Sequence, residues 1–256
     1  MKISIHLLIL TLFFSVTTNA QTLGLGSAIN KAGRQRMLTQ RITKDYLMIG
    51  AGVKVDAVSR EIDESISIFE EQNIDLVGYA PNKEIKDALA IVNDLWSKFR
   101  IKVADVPDVN KASSIISEAT ILMNACNTVV EKIQEYGEVK TVQLTNISGR
   151  QRMVSQRLAM FYMAYYWKVP YPNLIKIFES TENEYEDNLK FLMKESEKYP
   201  EIMEILNKTN SMWAFSKTGF DLKSNKLMPS VIYVTTNAMT NDFNQTTALY
   251  EKLTGK

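Results

Sequence analysis

Residues 30–42 read NKAGRQRMLTQRI and residues 146–158 read NISGRQRMVSQRL, so eight of thirteen positions recur at a constant spacing of 116. Average composition gives about one match by chance. The differences include Leu38/Val154, Thr39/Ser155 and Ile42/Leu158, all chemically mild. Weaker echoes follow: Trp96 and Trp213 are 117 apart, and Asn110-Lys111 returns as Asn225-Lys226. Self-similarity at a fixed period predicts a duplicated structural unit, with the boundary near Gly137.

Working outward, the chain reads as helix nearly throughout. Ser27 is a candidate N-cap, Ala28 to Ile49 contains no proline and one glycine, and Gly50-Ala51-Gly52 ends the stretch. Val55, Val58, Ile62, Ile66 and Phe69 then step at three and four, fading near Asn73 before a turn at Gly78-Tyr79-Ala80-Pro81-Asn82. Ile85, Leu89, Val92, Trp96 and Phe99 mark a third helix, and Ile115, Leu122, Cys126, Val129 and Ile133 a fourth beyond Val106-Pro107-Asp108. The order repeats: Val139 to Trp167, then Leu174, Ile177, Tyr185, Leu189 and Leu192, then Ile202, Ile205, Met212 and Phe215, then Ser230 to Leu253. Short connections between amphipathic helices make antiparallel neighbours. The expected fold is all-α: two up-down four-helix bundles related by internal duplication and packed as a pseudo-twofold dimer, with the motif helices meeting at its centre.

Met1-Lys2 followed by an apolar run from Ile3 to Val16 and small residues at Thr18-Asn19-Ala20 reads as a secretory signal peptide cleaved near Ala20. About 14 apolar residues fall short of the roughly 20 that span a bilayer, and no second such run follows, so no membrane span is expected in the mature chain. The units are then 1–20, 21–137 and 138–256, with a periplasmic location. The one histidine, His6, leaves with the leader, and one cysteine, Cys126, remains. Histidine general bases, histidine metal sites and multi-thiolate sites all disappear, so no enzyme, metal or cofactor is expected. Thirty basic against 29 acidic residues leave no bulk charge for nucleic acid.

Arginine placement says more than its number. Six of eight arginines lie in the two motifs, whereas 22 lysines carry the ordinary surface charge. No acid precedes Asp45, and none lies between Glu138 and Glu179. At 100° per residue, Gly33, Arg36 and Gln40 share one face, as do Gly149, Arg152 and Gln156. Glycine within a helix forgoes about 1 kcal/mol relative to alanine, which points to close approach by a second helix or a ligand. Two guanidiniums facing each other repel and are costly to desolvate; an anion between them answers both problems.

The two motif segments resemble the signature helix of the PilJ-type sensor domain, the N-terminal domain of type IV pili methyl-accepting chemotaxis transducers, here in tandem. They are similar also to the sensor domain of nitrate/nitrite sensor histidine kinases. The resemblance implies a four-helix bundle that binds nitrate or nitrite between first helices. It assigns Gly33, Arg36, Gly149 and Arg152 to ligand binding, with Arg41, Arg157, Asn30 and Asn146 in support; Gln40 and Gln156 join the supporting set from the shared helix face. Arg34 and Arg150 are typical of the PilJ-like branch. Tandem copies without a transmembrane helix or a signalling domain depart from the family's receptors and favour ligand binding over signal transmission, so any envelope signalling partner is unidentified. The implied function is that of an exported, non-enzymatic sensor or solute-binding protein.

Competing readings stand beside these. Arg34, Arg41, Arg150 and Arg157 can pair with carboxylates on neighbouring helices, and Met37, Met153, Trp96 and Trp213 suit a core. Cys126 lies on an apolar stripe, where a thiol is inert. Tyr165-Tyr166-Trp167 suits a wet interface, and Asn244-Gln245-Thr246 matches a glycosylation pattern. The alternative function is a structural or protein-interaction module, which predicts direct arginine–carboxylate pairing at the crossing of the motif helices and an exposed apolar face elsewhere.

Overall fold

The computed structural model describes residues 23–137 and 142–254. The segment read as a leader, with His6 and Ala20, and the expected helix start at Val139 lie outside the described residues. Within them, the first half forms α1 (Leu25–Gly50), α2 (Val55–Tyr79), α3 (Lys83–Val103) and α4 (Val109–Gly137). The second half forms α5 (Val142–Tyr166), α6 (Leu174–Glu195), α7 (Pro200–Ser216), a short 3-10 turn at Lys217–Phe220, and α8 (Pro229–Thr254). In each half the helices pack in a ring, first on second, second on third, third on fourth and fourth on first, giving two helix-bundle repeats. No described helix is long and apolar enough to cross a membrane.

The bundles join through α1 and α5, which pack along their length. Gly33 lies beside Arg152 and Gly50 beside Trp167, so the two helices run in the same direction. An alanine Cβ at Gly50 would sit 2.2 Å from Cη2 of Trp167, the closeness that a missing side chain permits. Tyr46 meets the same indole edge-on. Of the aromatic trio singled out in the sequence, Trp167 therefore joins the halves, while Tyr166 is partly exposed.

The duplication reaches well beyond the motif. Gln35 Nε2 donates to the Phe69 carbonyl at 3.4 Å and Gln151 Nε2 to the Tyr185 carbonyl at 2.9 Å. Trp96 stacks on Phe69 with centroids 3.9 Å apart, and Trp213 lies against Tyr185 at 4.6 Å. Tyr46 Oη accepts from the Asp108 amide at the start of α4, and Tyr162 Oη from the Met228 amide at the start of α8. Such shared pairs anchor each fourth helix against its first. The ends of α1 and α5 also match: the Gly52 amide donates to Ile49 and the Val53 amide to Met48, as Lys168 does to Tyr165 and Val169 to Ala164. This closing turn needs a left-handed residue, which Gly52 supplies at φ +70° and Lys168 at φ +58°.

Three expectations are corrected. Ser27 is not a cap: α1 starts a turn earlier with Gly24 at the N-cap, and Leu25 packs over Gly137 at the end of α4. The turn expected from Gly78 begins only at Ala80, because Gln72 and Leu76 continue the buried stripe of α2. In α7 the buried stripe is Ile202, Leu206, Thr209 and Trp213, so Phe215 is 89% exposed rather than core. Cys126 is fully buried, and burial pushes its thiol up to about 12.

Candidate functional site

Because Gly33 and Arg36, like Gly149 and Arg152, are one helical turn apart, each guanidinium folds back along its own helix toward its glycine. A Cβ placed on Gly33 would lie 3.2 Å from Arg36 Nη2 and 3.6 Å from Arg152 Nη2. One placed on Gly149 would lie 3.0 Å from Arg152 Nη2 and 3.7 Å from Arg36 Nη2. The glycines thus make room for two arginine head groups that meet where α1 crosses α5, and not for bare backbone contact.

Both arginines are 2% exposed. Their partners are neutral. Arg36 Nη1 donates to Asn127 Oδ1 at 2.7 Å and Nη2 to Asn146 Oδ1 at 2.8 Å. Arg152 Nη1 donates to Asn244 Oδ1 at 3.3 Å and Nη2 to the Asn30 carbonyl at 3.4 Å. The asparagines are anchored in turn: Asn127 donates to Glu131, Asn146 to Gln134 and Asn30 to Glu251. Among the described residues no carboxylate forms an ion pair with Arg36 or Arg152. The Nε atoms of both, and Oδ1 of Asn30, are buried without a hydrogen-bond partner.

The electrostatic result is destabilised cations. Burial, with Arg150 adding to it and Glu131 and Glu184 opposing in part, lowers Arg36 to about 10. Burial, with Arg34, Arg36 and Arg41 adding to it and Glu251 opposing, lowers Arg152 to about 9. Low dielectric strengthens this repulsion and equally strengthens attraction for an added negative charge.

Two clefts lead from the crossing, each built from both halves. One, of about 560 Å³, is bordered by Arg36, Arg150, Arg157 and Asn127. The other, of about 410 Å³, is bordered by Arg152, Arg34, Lys31 and Asn244. A larger surface cleft of about 650 Å³ near Tyr165, Tyr166 and Tyr171 borders neither arginine pair.

The structure therefore brings together Gly33, Arg36, Gly149, Arg152, Asn30 and Asn146, with Arg157 bordering the same cleft as Arg36. It does not bring in the rest of the supporting set. Gln156 Nε2 donates to Asn237 and Thr240 of α8, and Gln40 Nε2 to Thr39; neither bonds an arginine. Arg41 lies 3.5 Å from Glu61 in a buried charged cluster where Lys44 contacts Asp45, Glu61 and Asn237. Burial raises Asp45 well above the carboxylate range there. The second half has Met160 and Phe161 at the positions of Lys44 and Asp45. Of the four outer motif arginines, Arg41 and Arg150 pair with carboxylates, Glu61 and Glu184. Arg34 forms no ion pair among the described residues, and Arg157 contacts Met123 Sδ and the Phe161 ring.

Sequence reading missed Asn127 and Asn244, the partners that α4 and α8 supply. Their signal was present: Asn124-x-x-Asn127 recurs as Asn241-x-x-Asn244 at a spacing of 117. Asn244, part of a sequence pattern that carried no functional weight, holds Arg152.

Among the described residues no cluster of histidine, cysteine or acidic side chains could hold a metal ion. Comparison with known proteins finds no curated protein and no solved structure that matches. Residues 17–119 match the family model of the type IV pili methyl-accepting chemotaxis transducer N-terminal domain, PilJ. The first half of the chain, from before α1 into α4, is thus similar to a PilJ-type sensor domain.

Proposed function

We propose that this is an exported, periplasmic, non-enzymatic sensor or solute-binding protein that holds one small monovalent anion, nitrate or nitrite, between α1 and α5. In this reading residues 1–20 are removed, and units 21–137 and 138–256 act as covalently joined protomers about a pseudo-twofold axis. Arg36 and Arg152 clamp the anion over Gly33 and Gly149, Asn30 and Asn146 orient the forks, and Arg157 adds charge from one side. The observation that carries the proposal is the pair of buried guanidiniums with only neutral hydrogen-bond partners. A purely structural arginine pair calls for carboxylates at the crossing, and the partners there are amides and a carbonyl.

An anion adds counter-charge in direct contact with the guanidiniums and binds only the folded state, so at 100 times its dissociation constant it stabilises by roughly 2.7 kcal/mol. The test is calorimetric titration of the mature chain with nitrate and nitrite at fixed ionic strength. Arg36→Lys and Arg152→Lys keep the charge but lose the planar fork and should both weaken binding. Lys190→Gln, on an exposed face, should leave it unchanged. Absence of saturable binding by the unmodified protein rejects these anions. Equal affinity in all folded variants places the site elsewhere.

A further inference from the structure

The cleft bordered by Arg36, Arg150 and Arg157 holds more positive charge than a monovalent anion balances. Arg36, Arg150, Arg157 and Lys176 border it against one carboxylate, Glu184, and Glu184 is paired with Arg150. Three cations are left over. Arg157 touches a thioether and a ring face and feels Glu184 only through space, Arg36 Nε has no hydrogen-bond partner, and Lys176 makes no ion pair among the described residues. The first turn of α6 borders the same cleft, so its unpaired amides add partial positive charge.

The matching region of the first half is balanced instead. Arg41, the counterpart of Arg157, has Glu61 beside it, and Glu64 and Glu71 act on Arg34. The second half has Ile177 where the first has Glu61, and Ser180 where it has Glu64. Two acids of α2 thus give way to Ile177 and Ser180, while Glu184 stands where the first half has Ile68 and pairs with Arg150; Met123, Met153 and Ile177 form an apolar strip in an otherwise polar wall. A volume of about 560 Å³ falls within the range of roughly 300–1,000 Å³ typical for organic ligands. Guanidinium forks match carboxylates bidentately, and a methylene chain suits the methionines.

We propose that this cleft binds a small organic dianion, two carboxylates on a short aliphatic spine, one meeting Arg36 and the other Arg157 and Lys176. The proposal rests on the reading that Arg36 is available to an anion, and differs from it in ligand and in the face used. The test is calorimetric titration of the mature chain with succinate, acetate, inorganic phosphate and nitrate at fixed ionic strength, repeated on Lys176→Glu. Lys176 is exposed, so the variant keeps the fold, which circular dichroism checks.

Succinate should saturate one site, with acetate and phosphate at least tenfold weaker. Lys176→Glu should weaken succinate at least tenfold and leave nitrate unaltered. No saturable succinate binding, phosphate binding as tight as succinate, or succinate binding indifferent to Lys176→Glu would each overturn the proposal. Nitrate binding without succinate binding removes the dianion site and leaves the central clamp. Succinate binding that depends on Lys176, in a protein that ignores nitrate, supports the dianion site and removes the clamp.

Discussion

Replacing Arg152 with methionine should make the ligand-free protein more stable, the reverse of the usual result for a large buried side chain. Burial and three neighbouring guanidiniums, opposed in part by Glu251, hold Arg152 at about 9, far below the ordinary arginine value. At about 1.4 kcal/mol per pH unit, keeping it charged costs the fold on the order of 5 kcal/mol. Against this, the substitution removes two long hydrogen bonds, at 3.3 Å to Asn244 and 3.4 Å to the Asn30 carbonyl. Leaving those acceptors dry costs about 1–2 kcal/mol each. Methionine keeps much of the volume without the charge, so the balance is about 1–3 kcal/mol in its favour, in line with other buried ions replaced by apolar groups. Thermal unfolding in a buffer free of small anions should therefore show a midpoint several degrees higher, since about 1 kcal/mol moves a chain of this size by 2–4 °C. Nitrate should raise the midpoint of the unmodified protein and not that of the variant. Destabilisation by more than about 1 kcal/mol in anion-free buffer would refute the reasoning, because it would mean that Arg152 is already compensated and acts as a strut.

Three further outcomes follow from the packing. Gly50→Ala should destabilise by about 1–3 kcal/mol through overpacking against Trp167, with Trp167→Leu restoring most of the loss in a double-mutant urea experiment. Lys44→Met alone should cost about 1–3 kcal/mol by leaving the buried Asp45 without its ion-pair partner, Glu61 keeping Arg41 and Asn237, whereas Lys44→Met with Asp45→Phe, which copies Met160-Phe161, should recover at least half of that in urea melts. Burial, reinforced by Glu186 and Glu179 and opposed in part by Lys217, raises the Glu182 carboxyl to about 7. The folded state then holds this proton more tightly than the unfolded state, so stability should fall as pH rises from about 4.5 to 7; Glu182→Gln should flatten that decline, and an unchanged slope would contradict it.

The helical order was legible because apolar steps of three and four run through nearly every segment, and the halves because the arginine motif repeats without a gap. Phase was lost in α7, where Ile202, Ile205 and Leu206 permit two stripes and only packing against α8 selects the one through Leu206 and Trp213. The central arginines were legible from their glycines and spacing. Their asparagine partners were not, since they arrive from helices about 90 residues away and asparagine carries no apolar rhythm. Arg41 and Arg157 look alike in sequence but differ in surroundings, because Glu61 faces one and its counterpart near the other is Ile177. A motif repeats its own residues and not its neighbours' chemistry.

The parallel crossing of α1 and α5 within a single chain also changes what dilution can do. When two such helices belong to separate subunits, thinning the protein dissolves the interface and any pocket at it. Here the link between α4 and α5 holds the second helix at a fixed, high effective concentration. Whatever binds at the crossing should be held with an affinity independent of how little protein is present. A scavenger at trace abundance outside the inner membrane would need that property, whereas a receptor concentrated in a membrane patch would not.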